Sequence, residues 1–304
     1  MNLPPPHHGN LRGIAAMLIA VAVFAFMDAV LKTLSARYPV LQIVALRGLT
    51  ALPLILLYIG WRGAWRPVLR MRWPLHLLRC VLGIVMLSLF TLGVRSLPLS
   101  AAYTLFFIAP LLITLLSVPV LKEKVPRAHV WAIGVGFVGV LVALRPSGDA
   151  LQAGLATWGG LAVLGAALCY AVAAVTGRLL SRTDRSESLV LTMMAAMAIG
   201  GAALAWPQWV PIPRTDWPLL AGLAVTGFIG QLALTEAFRH GQASIVAPFE
   251  YSALAWGLGL DWLIWRTLPG THTWLGAAIV IAAGLYLVRR ERRASEAHAT
   301  AEHP

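Results

Sequence analysis

Four ionisable residues lie inside long apolar stretches of the sequence, where charged side chains are rare. Asp28 and Arg47 fall in the first two stretches, and Glu250 and Asp261 fall in the ninth. A charge buried in membrane hydrocarbon costs roughly 2.5 to 3.5 kcal/mol on insertion scales, so each side chain must face protein or water. Because such groups can bind a charged solute or carry a proton, these residues are the first candidates for a functional site.

Asp28 and Arg47 lie at equal depth. Asp28 stands six residues before the end of the first stretch, and Arg47 stands seven residues after the start of the second. At 1.5 Å per residue both are about 10 Å from the same membrane surface. This geometry allows an ion pair, and two interpretations stay open: a structural lock between the two helices, or a charged group that faces a binding cavity.

The ninth stretch presents a stripe of small and acidic residues. Glu250, Ala253, Gly257 and Asp261 follow at spacings of three, four and four, and eleven residues make about three helical turns, so the four share one face. Glu250 can bind a substrate ammonium or carry a coupling proton. Alternatively, helix-end amides or Arg239 satisfy its carboxylate.

Aromatic and amide side chains add further candidates. Gln231 lies near the middle of the eighth stretch, in a polar stripe with Gly227 and Thr235, and it suits either a cavity or an interhelical hydrogen bond. Aromatic residues suit either a cavity for apolar side chains or helix packing. The predicted substrate-binding residues are Glu250, Tyr251, Tyr103, Phe107, Gln231, Tyr170 and Asp28.

The composition requires that these residues be positioned by membrane helices. Of the 304 residues, 59% are hydrophobic and 12% are charged, whereas soluble proteins average about 25% charged residues. The two cysteines, Cys80 and Cys169, predict neither a disulfide framework nor a ligand cluster. Apolar stretches long enough for a ~30 Å hydrocarbon core predict ten helices. They span residues 12–34, 40–60, 75–95, 100–121, 128–144, 157–180, 188–206, 217–238, 244–265 and 271–288.

The basic residues predict the orientation of the chain. Of the 24 Lys and Arg residues, 17 fall on one side of the ten spans, six fall on the other, and Arg47 lies within a span. Because cytoplasmic loops carry the basic excess, both termini are predicted to be cytoplasmic at a bacterial inner membrane. The net charge of +12 thus reflects contact with the lipid bilayer rather than with nucleic acid. The polar tails, 1–11 and 290–304, are predicted to be disordered.

The two halves of the sequence repeat each other. Residues 95–145 align without gaps onto 239–289, so that Arg95 matches Arg239 and Ser100 matches Ser244. An odd number of spans in each half forces the second half to insert upside down. The predicted fold is therefore all-α: a polytopic membrane protein with ten transmembrane helices in two inverted five-helix repeats, 12–145 and 157–289.

One literal motif is misleading. Residues 134–139 read GxGxxG, but they lie in mid-helix without a preceding strand or a following acid, so close helix packing explains them better than a dinucleotide. The sequence contains no HExxH pair and no P-loop. We therefore predict no metal, no cofactor and no ATP-driven pumping.

The fourth and fifth helices resemble those of the drug/metabolite transporter superfamily, of the ten-helix EamA type. Pro110 is followed by Glu123, 13 residues on at the end of the fourth helix, and then by a glycine-rich fifth helix. The match spans nearly the whole chain. The second half departs from the pattern, because Leu254 and Thr267 replace the proline and the glutamate, while Pro248 and Glu250 come earlier in the ninth helix.

This combination is similar to bacterial amino-acid and metabolite exporters, which implies a central cavity between the repeats. The expected activity is secondary transport or facilitated movement of a small-molecule substrate, an amino acid or similar metabolite, in the direction of export and without enzyme activity. Two alternatives remain: uptake of a cationic or vitamin-like metabolite, and a membrane-embedded enzyme that acts on lipid-linked substrates. Oligomeric state does not follow from the sequence, and a monomer suffices for this architecture.

Overall fold

The computed structural model describes residues 6–65, 72–96, 105–123, 125–144, 157–256 and 271–301, and those residues form no strand. The α-helices are α1 (Pro6–Ser35), α2 (Val40–Trp61), α3 (Trp73–Ser96), α4 (Ala109–Leu121), α5 (Arg127–Leu144), α6 (Trp158–Leu180), α7 (Ser186–Ala205), α8 (Trp217–His240), α9 (Ala243–Val246) and α10 (Thr271–Ala301). Three 3-10 helices accompany them: Trp206–Gln208, Arg214–Asp216 and Ala247–Ser252.

Most of these helices are apolar enough to cross a membrane. Six in the described ranges pass on both length and composition: α1, α2, α3, α6, α7 and α8. Their ends follow local signals. Thr157 caps α6 by accepting a hydrogen bond from the backbone N–H of Gly160 at 3.3 Å, and Pro39 precedes α2. The Thr157 cap satisfies a backbone group that the first turn of α6 would leave unpaired.

The fourth and ninth helices are interrupted. A turn at 107–108 precedes α4, and Pro110 is near its start. The four-residue α9 runs directly into the 3-10 helix Ala247–Ser252, which contains Pro248. Proline lacks the N–H that a continuous helix needs, so both prolines stand where regular α-helical bonding fails. Interrupted helices packed against one another are typical of transporter cores, and α4 packs against both α9 and this 3-10 helix.

Each major helix pair joins one half of the chain to the other. Helix α2 packs on α7, α1 on α8, α3 on α6, and α5 on α10. Exchanging the two halves turns the α1–α8 pair into the α6–α3 pair and leaves the other two pairs unchanged. This self-consistent pairing confirms the predicted all-α fold of two inverted five-helix repeats.

Glycines permit these close approaches. A Cβ at Gly48 would overlap the backbone of α7, and a Cβ at Gly13 would overlap the backbone of Gly241. In the GxGxxG segment, Gly139 lies against the backbone of Gly276 and Gly136 lies against the ring of Tyr251. Helix packing therefore accounts for Gly136 and Gly139, whereas Gly134 has no atom within 4 Å of its Cβ position.

Three predicted boundaries differ from the structure. Helix α1 begins at Pro6 rather than at residue 12, and α10 continues to Ala301, where a disordered tail was predicted. Residues 291–301 contain no Gly or Pro and include four alanines, so they favour a helix once α10 has formed. Helix α3 begins at Trp73 rather than at residue 75, and Arg79, which the count of basic residues assigned to the preceding loop, lies inside it.

Candidate functional site

A cavity of about 560 Å³ lies between the two halves. Its walls come from α1, α2, α3, α6, α7, α8, the start of the fourth helix and the 3-10 helix of the ninth. Most lining side chains are apolar or aromatic, but four are charged: Asp28, Arg47, Arg79 and Glu250. The described ranges contain no group of three or more His, Cys, Asp or Glu side chains that could hold a metal ion.

Glu250 reaches the cavity from the 3-10 helix Ala247–Ser252. Its residue is 9% exposed, and the hydroxyl of Tyr170 on α6 donates a 2.9 Å hydrogen bond to its Oε1. The Tyr170 ring lies 5.6 Å from the ring of Phe106. Arg239, considered as a partner for Glu250, instead donates to Ser186 Oγ at 3.0 Å. The Glu250 carboxylate is therefore held by a phenol at the wall of the cavity.

Arg47, Gln231 and Asp28 meet in another part of the same cavity. Nη2 of Arg47 donates to Gln231 Oε1 across 3.4 Å, and Asp28 acts on the Arg47 guanidinium electrostatically. The guanidinium carbon lies 5.4 Å from the centre of the Phe24 ring. Asp28 and Arg47, at equal depth in the first two helices, thus line the same cavity and interact electrostatically.

The predicted aromatic residues differ in whether they line the cavity. Tyr170 and Phe107 line the cavity. Tyr251 does not; it is 1% exposed and packs in an apolar cluster with Ile133 and Val280, its ring centre 5.8 Å from that of Phe107. Successive helical residues point in different directions, and here Glu250 lines the cavity while Tyr251 packs away from it. Tyr103, and the stripe residues at 257 and 261, lie outside the described residues.

Arg79 is a cavity residue that the sequence reading missed. It is 6% exposed, its Nη1 donates a 3.0 Å hydrogen bond to the carbonyl of Leu189, and its side chain lies against Gly177. The predicted span 75–95 already contained Arg79, but the count of basic residues assigned it to the preceding loop, so it was not considered as a buried charge. Trp73-Pro74 is a helix-start signal, since proline suits the first turn, and it places Arg79 more than one turn inside the helix.

A network around Glu123 closes the end of the bundle that carries most of the Lys and Arg residues, which we call the basic end. The Glu123 carboxylate accepts hydrogen bonds from the backbone N–H groups of Ala243 and Ser244, each at 3.2 Å. It also pairs with Arg178 Nε at 3.4 Å. Arg178 in turn donates to the carbonyls of Phe238 and Arg239. One carboxylate therefore ties α4 to α6, α8 and α9.

Two further groups of hydrogen bonds each join a loop of one half to the start of a helix in the other half. At the end away from the basic end, Asp216 accepts hydrogen bonds from Arg37 Nη1 and Tyr38 Oη, both at 2.6 Å. Burial and this bond raise the pKa of Tyr38 to about 12. At the basic end, His76 Nε2 lies 2.8 Å from Asp184 Oδ2. Burial opposes ionisation of Asp184, but hydrogen bonds from Thr183, His76 and the Arg72 N–H outweigh it and lower the pKa of Asp184.

Comparison with known proteins matches nearly the whole chain to a single protein family. The sequence model of the EamA-like transporter family matches residues 11–145 and again 157–290. The chain is 30% identical to a pseudopaline exporter of Pseudomonas aeruginosa, over 92% of this chain and 97% of that protein. It is 28% identical to a riboflavin transporter of Vibrio cholerae, over 95% and 96% of the two chains. A solved crystal structure, 18% identical, shares the fold with a TM-score of 0.77 over 94% of this chain and 98% of that chain.

Proposed function

The chain belongs to the EamA-like transporter family, and on that premise we propose that it is a secondary transporter or facilitator that exports amino acids or similar small metabolites. The substrate occupies the central cavity between the inverted repeats. Alternating access then exposes that cavity to one side of the membrane and afterwards to the other.

The mixed chemistry of the cavity is the observation that carries this proposal. Pockets for small ligands hold about 300 to 1,000 Å³ and combine apolar walls with a few placed polar groups, and this cavity of about 560 Å³ has that character. Glu250 and Asp28 suit an ammonium group, Arg47 suits a carboxylate, and Phe90 and Phe106 offer an apolar wall. An amino acid presents all three kinds of group.

Ties at both ends of the bundle support alternating access. The Glu123 network joins the repeats at the basic end, and the pair of Arg37 and Asp216 joins them at the other end. A transporter that opens on one side at a time must break one set of ties while the other holds. With the basic end cytoplasmic, as the positive-inside rule predicts, both termini lie in the cytoplasm.

Counterflow by the purified protein in liposomes tests the proposal. Vesicles loaded with one unlabelled amino acid or metabolite at a time are mixed with a trace of its labelled form outside. We expect transient accumulation of label for at least one free amino acid, and none in protein-free vesicles. Absence of accumulation for every compound, together with turnover of a lipid-linked substrate, would instead favour a membrane-embedded enzyme.

Replacing Glu250 tests its role in the cavity. Glu250→Gln keeps the size and the bond from Tyr170 but removes the charge, and loss of a charged hydrogen bond worth about 1.5 to 3 kcal/mol predicts a tenfold or larger rise in KM. The pH dependence of flux should flatten as well. Glu236→Gln is the matched control, since Glu236 pairs with His240 on its own helix at 3.0 Å and does not line the cavity. Unchanged affinity and pH response in Glu250→Gln would remove this residue from the site.

Uptake of a cationic or vitamin-like metabolite is the alternative within transport. The similarity to a riboflavin transporter favours it, and two acidic residues in the cavity would suit a cation. The same counterflow assay separates the two, because a cationic substrate without a carboxylate should then exchange faster than any amino acid.

A further inference from the structure

Arg47 has an unsatisfied donor at the cavity wall. The residue is 5% exposed, and its Nε has no hydrogen-bond partner. Its bond from Nη2 to Gln231 is 3.4 Å long, beyond the usual 2.7 to 3.2 Å for N–H···O. A buried guanidinium with an unpaired N–H is costly, and a charge kept at that cost inside a membrane bundle points to a bound ion or solute.

Two helices, α1 and α8, pack around this side chain. On α8, the open space beside Gly227 accommodates the aliphatic part of Arg47, and Gly230 admits the ring of Phe24 from α1. The Phe24 ring lies under the guanidinium at 5.4 Å, and Gln231 follows one turn after Gly227. The Arg47 side chain is thus held in position, while its buried Nε–H has no hydrogen-bond partner.

The second arginine of the cavity is engaged differently. Arg79 donates to the carbonyl of Leu189 at 3.0 Å and packs against Gly177. A backbone acceptor therefore already uses part of its guanidinium. Arg79 provides a matched comparison of the same residue type in the same cavity.

We propose that Arg47, together with Gln231, is the carboxylate-binding subsite of the cavity and accepts the carboxylate of an amino-acid-like solute through the N–H groups of its guanidinium. The planar guanidinium offers N–H donors in pairs, in the geometry of a carboxylate. The proposal rests on the proposed function and adds to it the group that recognises one end of the substrate. Asp28 interacts electrostatically with Arg47 and would bind the ammonium group of the solute.

Thermal unfolding of the purified full-length protein in detergent tests the subsite without any transport. Phenylacetate is compared with phenylacetamide at the same concentration and ionic strength, because the two differ only in the carboxylate. We expect phenylacetate to raise the unfolding temperature more than phenylacetamide does. The preference is the ratio of the apparent affinities for phenylacetate and phenylacetamide that the two shifts give. In Arg47→Gln this ratio should fall tenfold or more, whereas in Arg79→Gln it should stay unchanged. A preference that persists in Arg47→Gln, that disappears only in Arg79→Gln, or that wild type lacks overturns the proposal.

A second variant covers the case in which Arg47→Gln does not fold. Gln231→Glu places a carboxylate beside Arg47, so it should raise the unfolding temperature without ligand and abolish the effect of phenylacetate. An undiminished phenylacetate effect in Gln231→Glu contradicts the subsite. If phenylacetate stabilises as expected but no amino acid or metabolite shows counterflow, the subsite stands and the transport function fails. If amino acids and their amides exchange equally well, transport stands and the subsite fails.

Discussion

At the scale of single residues, Gly48 sets how closely α2 and α7 approach. A Cβ at Gly48 would overlap the backbone of Met194 and Ala198, and Gly201 of α7 lies equally close to the backbone of Ala45. Small residues at such crossings let membrane helices gain packing and weak hydrogen bonds that larger residues would prevent. The two glycines therefore hold together the pair of helices that carries Arg47 on one side and Met193 and Met197 on the other.

Substitution of Gly48 should be far more damaging than substitution of a glycine in open space. Gly48→Ala adds one methyl group at a backbone contact, and overpacking of this kind costs about 1 to 3 kcal/mol. Gly134→Ala is the control, because no atom lies within 4 Å of the added Cβ. We expect a clear fall in unfolding temperature in detergent for Gly48→Ala and little change for Gly134→Ala. Equal effects would mean that this contact does not matter for stability.

The sequence predicted cavity residues well where polarity alone identifies them. Asp28, Gln231 and Glu250 stand out as polar groups in apolar helices, and all three line the cavity. Arg79 and Tyr251 show where polarity alone does not predict whether a residue lines the cavity. Arg79 lies near the start of its helix, where a basic residue is also expected at the end of a cytoplasmic loop, so its type did not mark it as a cavity residue. The position of Tyr251 depends on the direction of one side chain in a 3-10 helix, which no pattern of residue types encodes.

At the scale of helices, the Glu123 network joins the repeats at the basic end through hydrogen bonds and an ion pair. Lys122 adopts the left-handed conformation, with φ of 56°, and this turns the chain so that Glu123 points back toward α9. A carboxylate at a helix N-terminus is stabilised by the unpaired N–H groups and by the helix dipole. At the position related by the repeat, the sequence of the second half has Thr267 in place of this glutamate.

Breaking this network should open the basic end of the cavity. Glu123→Gln weakens the charge-assisted bonds to α9 and the pair with Arg178, so the state closed at this end should lose population. A cysteine introduced at Leu234, in a background with Cys80 and Cys169 replaced by serine, reports access to the cavity. We expect faster labelling by an impermeant maleimide in inside-out vesicles carrying Glu123→Gln.

Glu236→Gln again provides the control for the labelling experiment. Glu236 lies on the same helix as the reporter at Leu234, but its partner is His240 and it does not bridge the repeats. Its replacement should leave the labelling rate unchanged. If Glu123→Gln labels no faster than Glu236→Gln, the Glu123 network is not a gate.

The helices themselves were largely predictable, whereas their interruptions were not. Apolar length predicted α2, α6 and α8 to within a few residues. The ninth span was predicted as a regular helix from 244 to 265, although the structure has a 3-10 helix over Ala247–Ser252. Pro248 marked the weak point, but membrane helices tolerate proline where neighbours satisfy the freed groups, so sequence alone does not decide between a kink and a change of helix type.

At the scale of the whole molecule, the described helices of the two repeats pack mainly against each other. Every major helix pair joins one half to the other, so a single half would expose to lipid the small and polar faces that its partner now covers. The cavity belongs to both halves for the same reason: Arg47 and Arg79 come from the first, and Gln231 and Glu250 come from the second. The gapless repeat in the sequence made this arrangement predictable, because odd-numbered halves must insert in opposite senses.

The orientation of this antiparallel pair is open to direct measurement. Single cysteines at Arg62, Arg290 and Arg214, all exposed, are introduced with Cys80 and Cys169 replaced by serine. The excess of basic residues predicts that positions 62 and 290 face the cytoplasm and position 214 faces outward. In intact spheroplasts, an impermeant maleimide should label only the cysteine at 214, and membrane permeabilisation should expose the other two. Labelling of 62 and 290 from opposite sides would be incompatible with two inverted five-helix repeats. Labelling of both from outside would keep the repeats but reverse the direction in which the Glu123 network closes the cavity, and the proposed export would have to be argued afresh from the other face.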